Sequence, residues 1–194
     1  MKVLTPSESR QLLDAVNVHD AFGARNRALL VLMLHTGLRV SELVALDVDN
    51  VSVDGVARQS LYVSPARAKG GRDRTIPLNE TARQAIVDIL NFNQRRGFSV
   101  EADRPLFVTR KHQRMNVRAV QRLVEGLREK ARLDVPAVPH TLRHAFATNV
   151  LAATGNLRIV QIALGHKRLF SVEIYTHPTR EDVRAAVDTI ARQA

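Results

Sequence analysis

Six side chains of types that can act on a phosphodiester stand in short segments along this chain: Arg39, Lys69, His140, Arg143, His166 and Tyr175. A tyrosine hydroxyl can serve as a covalent nucleophile. Attack on a phosphodiester builds negative charge on a pentavalent phosphorus, and two guanidiniums can clamp its non-bridging oxygens. Histidines can donate hydrogen bonds or carry protons, and a lysine at a hairpin tip can protonate a leaving oxygen. Chemistry of that kind needs no metal, because the arginines supply the positive charge.

Each segment also has an ordinary reading when taken alone. Arg39, in His35-Thr36-Gly37-Leu38-Arg39-Val40-Ser41-Glu42-Leu43, can simply pair with Glu42 three residues on. Lys69, in Ala68-Lys69-Gly70-Gly71-Arg72-Asp73-Arg74, can be part of a solvated turn. His140 and His144 lie four apart, as in a zinc-binding helix. A third ligand is missing from that pattern, and Thr141 stands where a metalloprotease has its glutamate. His166 follows Leu164-Gly165 and can be a partly buried histidine, and Tyr175 a half-buried tyrosine with a bonded hydroxyl. Taken as a set in a basic chain, they form one constellation.

The composition agrees with an anionic partner. The 194 residues carry a formal net charge of +10, and only Lys2, Lys69, Lys111, Lys130 and Lys167 of the 29 cations are lysines. Arginine's planar fork suits bidentate contact with phosphate, so the charge balance points to nucleic acid. Aromatic residues are 4% and tryptophan is absent, which disfavours a single-strand binder that stacks bases on aromatic platforms. The absence of cysteine excludes a disulfide scaffold, thiolate zinc sites and a cysteine nucleophile. No apolar run reaches the ~18 residues of a membrane span, and the N-terminus lacks the apolar stretch of a signal peptide.

The elements that must position these groups are mostly helical, in a single domain. Thr5, Pro6 and Glu8 form a capping-box start, followed by Leu12, Leu13 and Val16 at helical spacing. Residues 26–35 are apolar nearly all round, as in a buried central helix, with Gly37 as its C-cap. A short helix follows, with Val40, Leu43, Val44 and Leu46 on its apolar face. Val51 to Val63, broken at Asp54-Gly55, and Arg74 to Pro77 read as a small three-stranded antiparallel sheet. Helices are predicted over 79–93, 116–132, 140–153, 157–164 and 179–192.

These segments, taken in order from Thr5 to about Arg180, resemble the catalytic domain of the tyrosine recombinases, the phage-integrase family. The first arginine box of the family is similar to His35–Leu43, and its K-G-x-x-x-R-x-x-P-L hairpin to Lys69–Leu78. His140 and Arg143 match its H-x-x-R box, with His144 following, and Leu164-Gly165-His166 its L-G-H box. Tyr175, nine residues after His166, matches its nucleophile. The resemblance implies that fold, mainly α with a small sheet. It also implies a site-specific recombinase that works through a 3′-phosphotyrosyl intermediate on Tyr175, without ATP, metal or other cofactor. Arg39, Arg143, His140 and His166 would hold the phosphate, and Lys69 would be the general acid. Glu42 and His144 would support the site.

The implied partner is double-stranded DNA. Arg72 and Arg74 crowd the Lys69 hairpin, and Arg110, Lys111, His112 and Arg114 precede a helix carrying Arg118 and Arg122. Of these, Arg72, Arg74, Lys111, Arg114, Arg118 and Arg122 are expected to face the duplex. Residues 1–194 read as one catalytic domain without the family's N-terminal DNA-gripping domain. The amphipathic segment 179–194 is expected to dock on a neighbouring subunit, in a tetramer on DNA. An accessory protein, and a place in the bacterial cytoplasm on the nucleoid, complete the expectation. A type IB topoisomerase-like nicking enzyme and a non-catalytic DNA-binding protein of the same fold are the alternatives.

Overall fold

The computed structural model describes residues 3–63 and 74–165. The chain begins with helix α1 (Pro6–Asp14), started by the expected capping box. The Thr5 amide donates to Glu8 Oε2 at 2.7 Å, and the Glu8 amide donates back to Thr5 Oγ1 at 3.2 Å. Helix α2 (Gly23–Thr36) follows and is the axis of the molecule. Its residues 28–34 are all buried, so every face needs a neighbour. Helices α5 (Glu80–Arg95) and α7 (Pro139–Thr154) pack along it, and α1 covers part of the remainder. Leu29, Leu30, Leu32 and Met33 are fully enclosed; burying one such side chain contributes roughly 1.5–3 kcal/mol.

Helices α2 and α5 run antiparallel. His35 near the end of α2 meets Asn79, the N-cap of α5, while Phe22 before α2 packs edge-on against Phe92 near the end of α5. The two poles of this pair carry different chemistry, described below. Asn79 and Asn116 cap α5 and the helix that starts at Val117, accepting from the amides of Ala82 and Ala119 at 2.9 Å each.

Between α2 and α5 lie helix α3 (Val40–Val44), the one-turn helix α4 (Val48–Val51) and four short strands. The expected three-stranded sheet is instead two separate antiparallel hairpins. Strands β1 (Ser52–Val53) and β2 (Val56–Ala57) are joined by Asp54 and Gly55, both at positive φ, the residue pair such a tight turn requires. Strands β3 (Ser60–Val63) and β4 (Arg74–Pro77) form the second. The ladder of the first hairpin runs on to Arg58, whose amide donates to the Val51 carbonyl. At the bend of Gln59 the chain changes partner, the Gln59 carbonyl accepting from the Leu78 amide, and β3 packs beside α4.

Helix α6 (Val117–Lys130) packs beside α3 and α7, burying Val120, Val124 and Leu127. The irregular chain before it is tied down by backbone hydrogen bonds from Val48 to Arg104 and from Leu106 to Leu46, which seat Leu106 and Phe107 in the core. Helix α8 (Leu157–Leu164) lies against α7 and ends at Gly165. The predicted helix over 179–192 lies outside the described residues. Among the described residues, no helix is long and apolar enough to cross a membrane.

Candidate active site

The site gathers where three helices end or begin: the C-termini of α2 and α8 and the N-terminus of α7. Helix α2 stops at Gly37, which has φ +60°. A side chain there would meet Phe146 of α7, since a Cβ would lie 2.3 Å from its Cδ1. Glycine is therefore required for both backbone conformation and packing. Two residues later, Arg39 is the N-cap of α3, and α3 carries Glu42 in its first turn.

Glu42 is the hub. It is buried and accepts hydrogen bonds from the Arg39 amide at 2.8 Å and the Arg39 guanidinium at 2.9 Å. Arg74 of β4 reaches the same carboxylate with both terminal nitrogens, at 3.1 and 2.7 Å. Arg143 lies 3.9 Å from its Oε2. Burial pushes the Glu42 pKa up. The hydrogen bonds and charges of Arg74 and Arg39 together outweigh burial and hold the carboxyl below its ordinary 4.5.

Arg143 is buried on α7 and donates to two backbone carbonyls, Gly37 at the end of α2 and Leu164 at the end of α8, the latter at 2.7 Å. Both are orphan carbonyls of helix C-termini, which carry partial negative charge. The arginine thus fastens two helix ends to one point. The start of α7 is set by Pro139 in its first turn and by Thr141, whose hydroxyl accepts from the Val138 amide at 3.0 Å. One turn apart on α7, His140 and His144 join Nε2 to Nε2 at 2.6 Å. His140 is exposed and His144 buried. Burial, with the charges of Arg143 and Arg39, lowers the His140 pKa. Burial, then His140 and Arg143, pushes His144 down to about 4. The pair is neutral at pH 7, one ring donating to the other.

The structure therefore brings together Arg39, Glu42, His140, Arg143 and His144. Arg39 keeps 30% of its side chain exposed, so its guanidinium can meet a ligand at the surface. Arg74 corrects the sequence reading. Expected to face DNA, it has only 5% of its side chain exposed and spends its guanidinium on Glu42. Gly165, with φ +65°, lies directly on it: a Cβ there would be 2.8 Å from Arg74 Cδ. The glycine of the L-G-H segment is thus explained by its contact with the arginine of the hairpin.

The other predicted cations lie apart from this cluster. Arg118 and Arg122 are exposed one turn apart on α6, and Lys111 is exposed in the preceding loop. Arg114 is committed to structure, donating to the Val44 and Leu46 carbonyls at 3.1 and 3.0 Å and pairing with Asp47. Lys69, Arg72, His166 and Tyr175 lie outside the described residues.

Comparison with known proteins agrees with this geometry. The chain is 36% identical over 184 residues to the tyrosine recombinase XerD of Ralstonia nicotianae, covering 94% of this chain and 58% of that protein. It is also 36% identical over 188 residues to XerC of Pseudomonas putida, covering 97% of this chain and 60% of that one. The chain thus spans about three fifths of the length of these curated relatives. Among solved structures, the XerA recombinase aligns with a TM-score of 0.78 at 28% identity, over 97% of this chain and 65% of that one. The XerH site-specific recombinase bound to its palindromic difH substrate aligns with a TM-score of 0.77 at 25% identity, over 95% of this chain and 51% of that one. Residues 2–182 match the phage integrase family as a whole, and with the arginine, histidine and glutamate cluster in place, the chain belongs to that family.

Proposed function

We propose that the chain is the catalytic domain of a site-specific DNA recombinase that cuts and rejoins DNA through Tyr175. The observation that carries this reading is the convergence of Arg39, Arg143 and His140 on one cleft, held by Glu42 and by two helix-end carbonyls. Arg39, Arg143, His140 and His166 bind the scissile phosphate. The Tyr175 oxygen attacks phosphorus and its proton passes to an imidazole. The bond to the 5′-oxygen breaks, and that oxygen takes a proton from Lys69. The 3′-phosphotyrosyl link conserves the bond energy, so a partner strand's 5′-hydroxyl reseals the DNA without ATP. Preorganised donors around a developing charge are the main source of acceleration in such a site.

Double-stranded DNA is the partner in this reading, held by Arg72, Lys111, Arg118 and Arg122. The DNA complex formed by the similar XerH recombinase supports it. Residues 1–194 act as one catalytic unit, residues 179–194 dock on a neighbouring subunit in a tetramer on DNA, and an accessory protein assists. The workplace is the bacterial nucleoid. Deleting the residues after Arg180 is expected to impair synapsis more than DNA binding; unchanged recombination by the shortened chain sinks that part.

The first experiment incubates purified protein with a nicked suicide duplex and compares it with Tyr175→Phe on a denaturing gel. A covalent band that requires Tyr175 and survives EDTA is expected, with strand-transfer products. Relaxation of supercoiled DNA lacking any target sequence, without strand transfer, points instead to a topoisomerase-like activity. Binding without any covalent band, even with an upstream domain supplied, overturns the catalytic reading.

A further inference from the structure

The pole of α2 opposite Arg39 holds a second concentration of positive charge. Helix α2 has 14 residues, so the two poles are about 20 Å apart. Here the guanidiniums of Arg25, Arg96 and Arg110 lie 4.4, 5.3 and 5.5 Å from the centre of one ring, that of Phe22. A cavity of about 580 Å³ opens beside them, lined by Phe22, Phe98, Arg95, Arg96, Arg110 and His112 among others. Among the described residues no carboxylate lines it.

These arginines differ in what they can offer. Arg25 is fixed: its Nη1 donates to the Val108 carbonyl at 2.7 Å, and its other edge to Asn26. Burial, and then the charge of Arg110, lower its pKa to about 10. Arg95 complements the C-terminal end of α5. Arg96 and Arg110 have no ion pair among the described residues, and their nitrogen forks carry no hydrogen bond there. An aromatic ring attracts each cation weakly, but it cannot cancel the repulsion among three of them. Helix α2 adds to the positive field, because no side chain caps its first turn. The loop is also held in an unfavourable shape: His112 has φ +59° and sits edge-on to Phe98 at 4.7 Å. Backbone strain of this kind persists only where the surroundings impose it.

We infer that the pocket between Phe22, Arg96 and Arg110 is a phosphate-binding site separate from the recombination cleft. A phosphate oxyanion bridging Arg96 and Arg110 relieves the repulsion and fills both open forks. The same chemistry is offered by a free phosphorylated molecule and by the backbone of DNA extending past the cleft. Lys111, next to Arg110 in the same loop and exposed, adds a further cation beside the pocket and favours the DNA backbone.

The test compares the full chain with Arg96→Gln/Arg110→Gln and with Arg10→Gln/Arg132→Gln, which removes the same charge from exposed positions elsewhere. Thermal melts are taken with sodium pyrophosphate against sodium chloride at matched ionic strength. Duplex affinity is measured against salt. Pyrophosphate is expected to raise the melting temperature of the parent and the Arg10/Arg132 variant by a few degrees, and that of the Arg96/Arg110 variant by less. If DNA is the source, the Arg96/Arg110 variant also loses about two from the salt slope of duplex binding, beyond any loss in the control. If a free phosphate compound is the source, only the melting shift changes. Equal behaviour of the two double variants in both measurements overturns the inference. Neither readout needs cleavage by Tyr175, so this outcome and that of the recombinase reading are independent.

Discussion

Arg74 grips Glu42 with both terminal nitrogens across 32 residues of chain, from a buried strand position to a buried helix position. The relationship explains why a carboxylate is buried among three arginines. A lone cluster of Arg39, Arg74 and Arg143 would be self-repelling. Glu42 holds the three together and leaves Arg39 partly at the surface.

Replacing that carboxylate with an amide leaves buried guanidinium charge uncompensated. Glu42→Gln is expected to lower stability by about 3–5 kcal/mol, a large share of the ~5–15 kcal/mol typical of a folded protein. The sign with pH follows from the lowered carboxyl pKa. The unfolded chain takes up the proton first as pH falls, so this contribution is whole above 4.5 and is lost below it. Urea unfolding from pH 7 to pH 3 checks this: the parent should lose more stability below pH 4.5 than Glu42→Gln does.

Gly165 and Gly155 form a built-in control. Both have positive φ, +65° and +62°, but a Cβ on Gly165 strikes Arg74, while one on Gly155 meets nothing within 4 Å. Gly155→Ala is expected to cost about 1–2 kcal/mol, the penalty of a left-handed backbone. Gly165→Ala should cost more, and should also slow single-turnover cleavage by displacing Arg74 from Glu42. Equal unfolding losses in the two variants refute the contact.

The His140–His144 pair governs a different pH range. Both pKa values are lowered, His144 to about 4. The unfolded chain gains protons near 6.5 while the folded pair resists. Stability from this source is therefore present above pH 6.5 and lost as pH falls toward 4. His144→Phe should flatten the melting temperature across that window. It should also slow cleavage by about tenfold or more, since His140 loses the partner that fixes its ring. Imidazole titration by NMR in the parent should place His144 below His140.

Arg118 and Arg122 are expected to act on DNA only. Changing both to glutamine should reduce the salt slope of duplex binding by about two, with unfolding stability altered by less than about 0.5 kcal/mol. Binding curves at several salt concentrations, beside a urea melt, measure the two effects separately.

The helices were largely readable from local chemistry, because a cap or a glycine acts on its immediate neighbours. Thr5, Asn79 and Asn116 start helices, and Gly37 and Gly165 end them, as their residue types indicate. Arg74 shows where local reading stopped. Charge counting put it on the surface with Arg72, yet it alternates with Ile76, and β4 buries both while exposing Thr75 and Pro77. The strand period held the signal, but the partner that makes burial of an arginine tolerable is on a helix far back in sequence. The split of the expected sheet turns on the bend at Gln59, where the chain exchanges Val51 for Leu78 as its partner, a change that leaves no mark in the sequence. The cluster of Phe22, Phe92 and Phe98 was hidden for the same reason: its members share no periodic element.

Arg143 joins carbonyls that lie 106 residues before it and 21 residues after it. No short stretch of chain contains this joint. Such contacts form late, since a long loop must close first. During synthesis the basic surfaces leave the ribosome before Leu164 does. A nascent chain therefore carries most of its positive charge before the joint of Gly37, Arg143 and Leu164 can close.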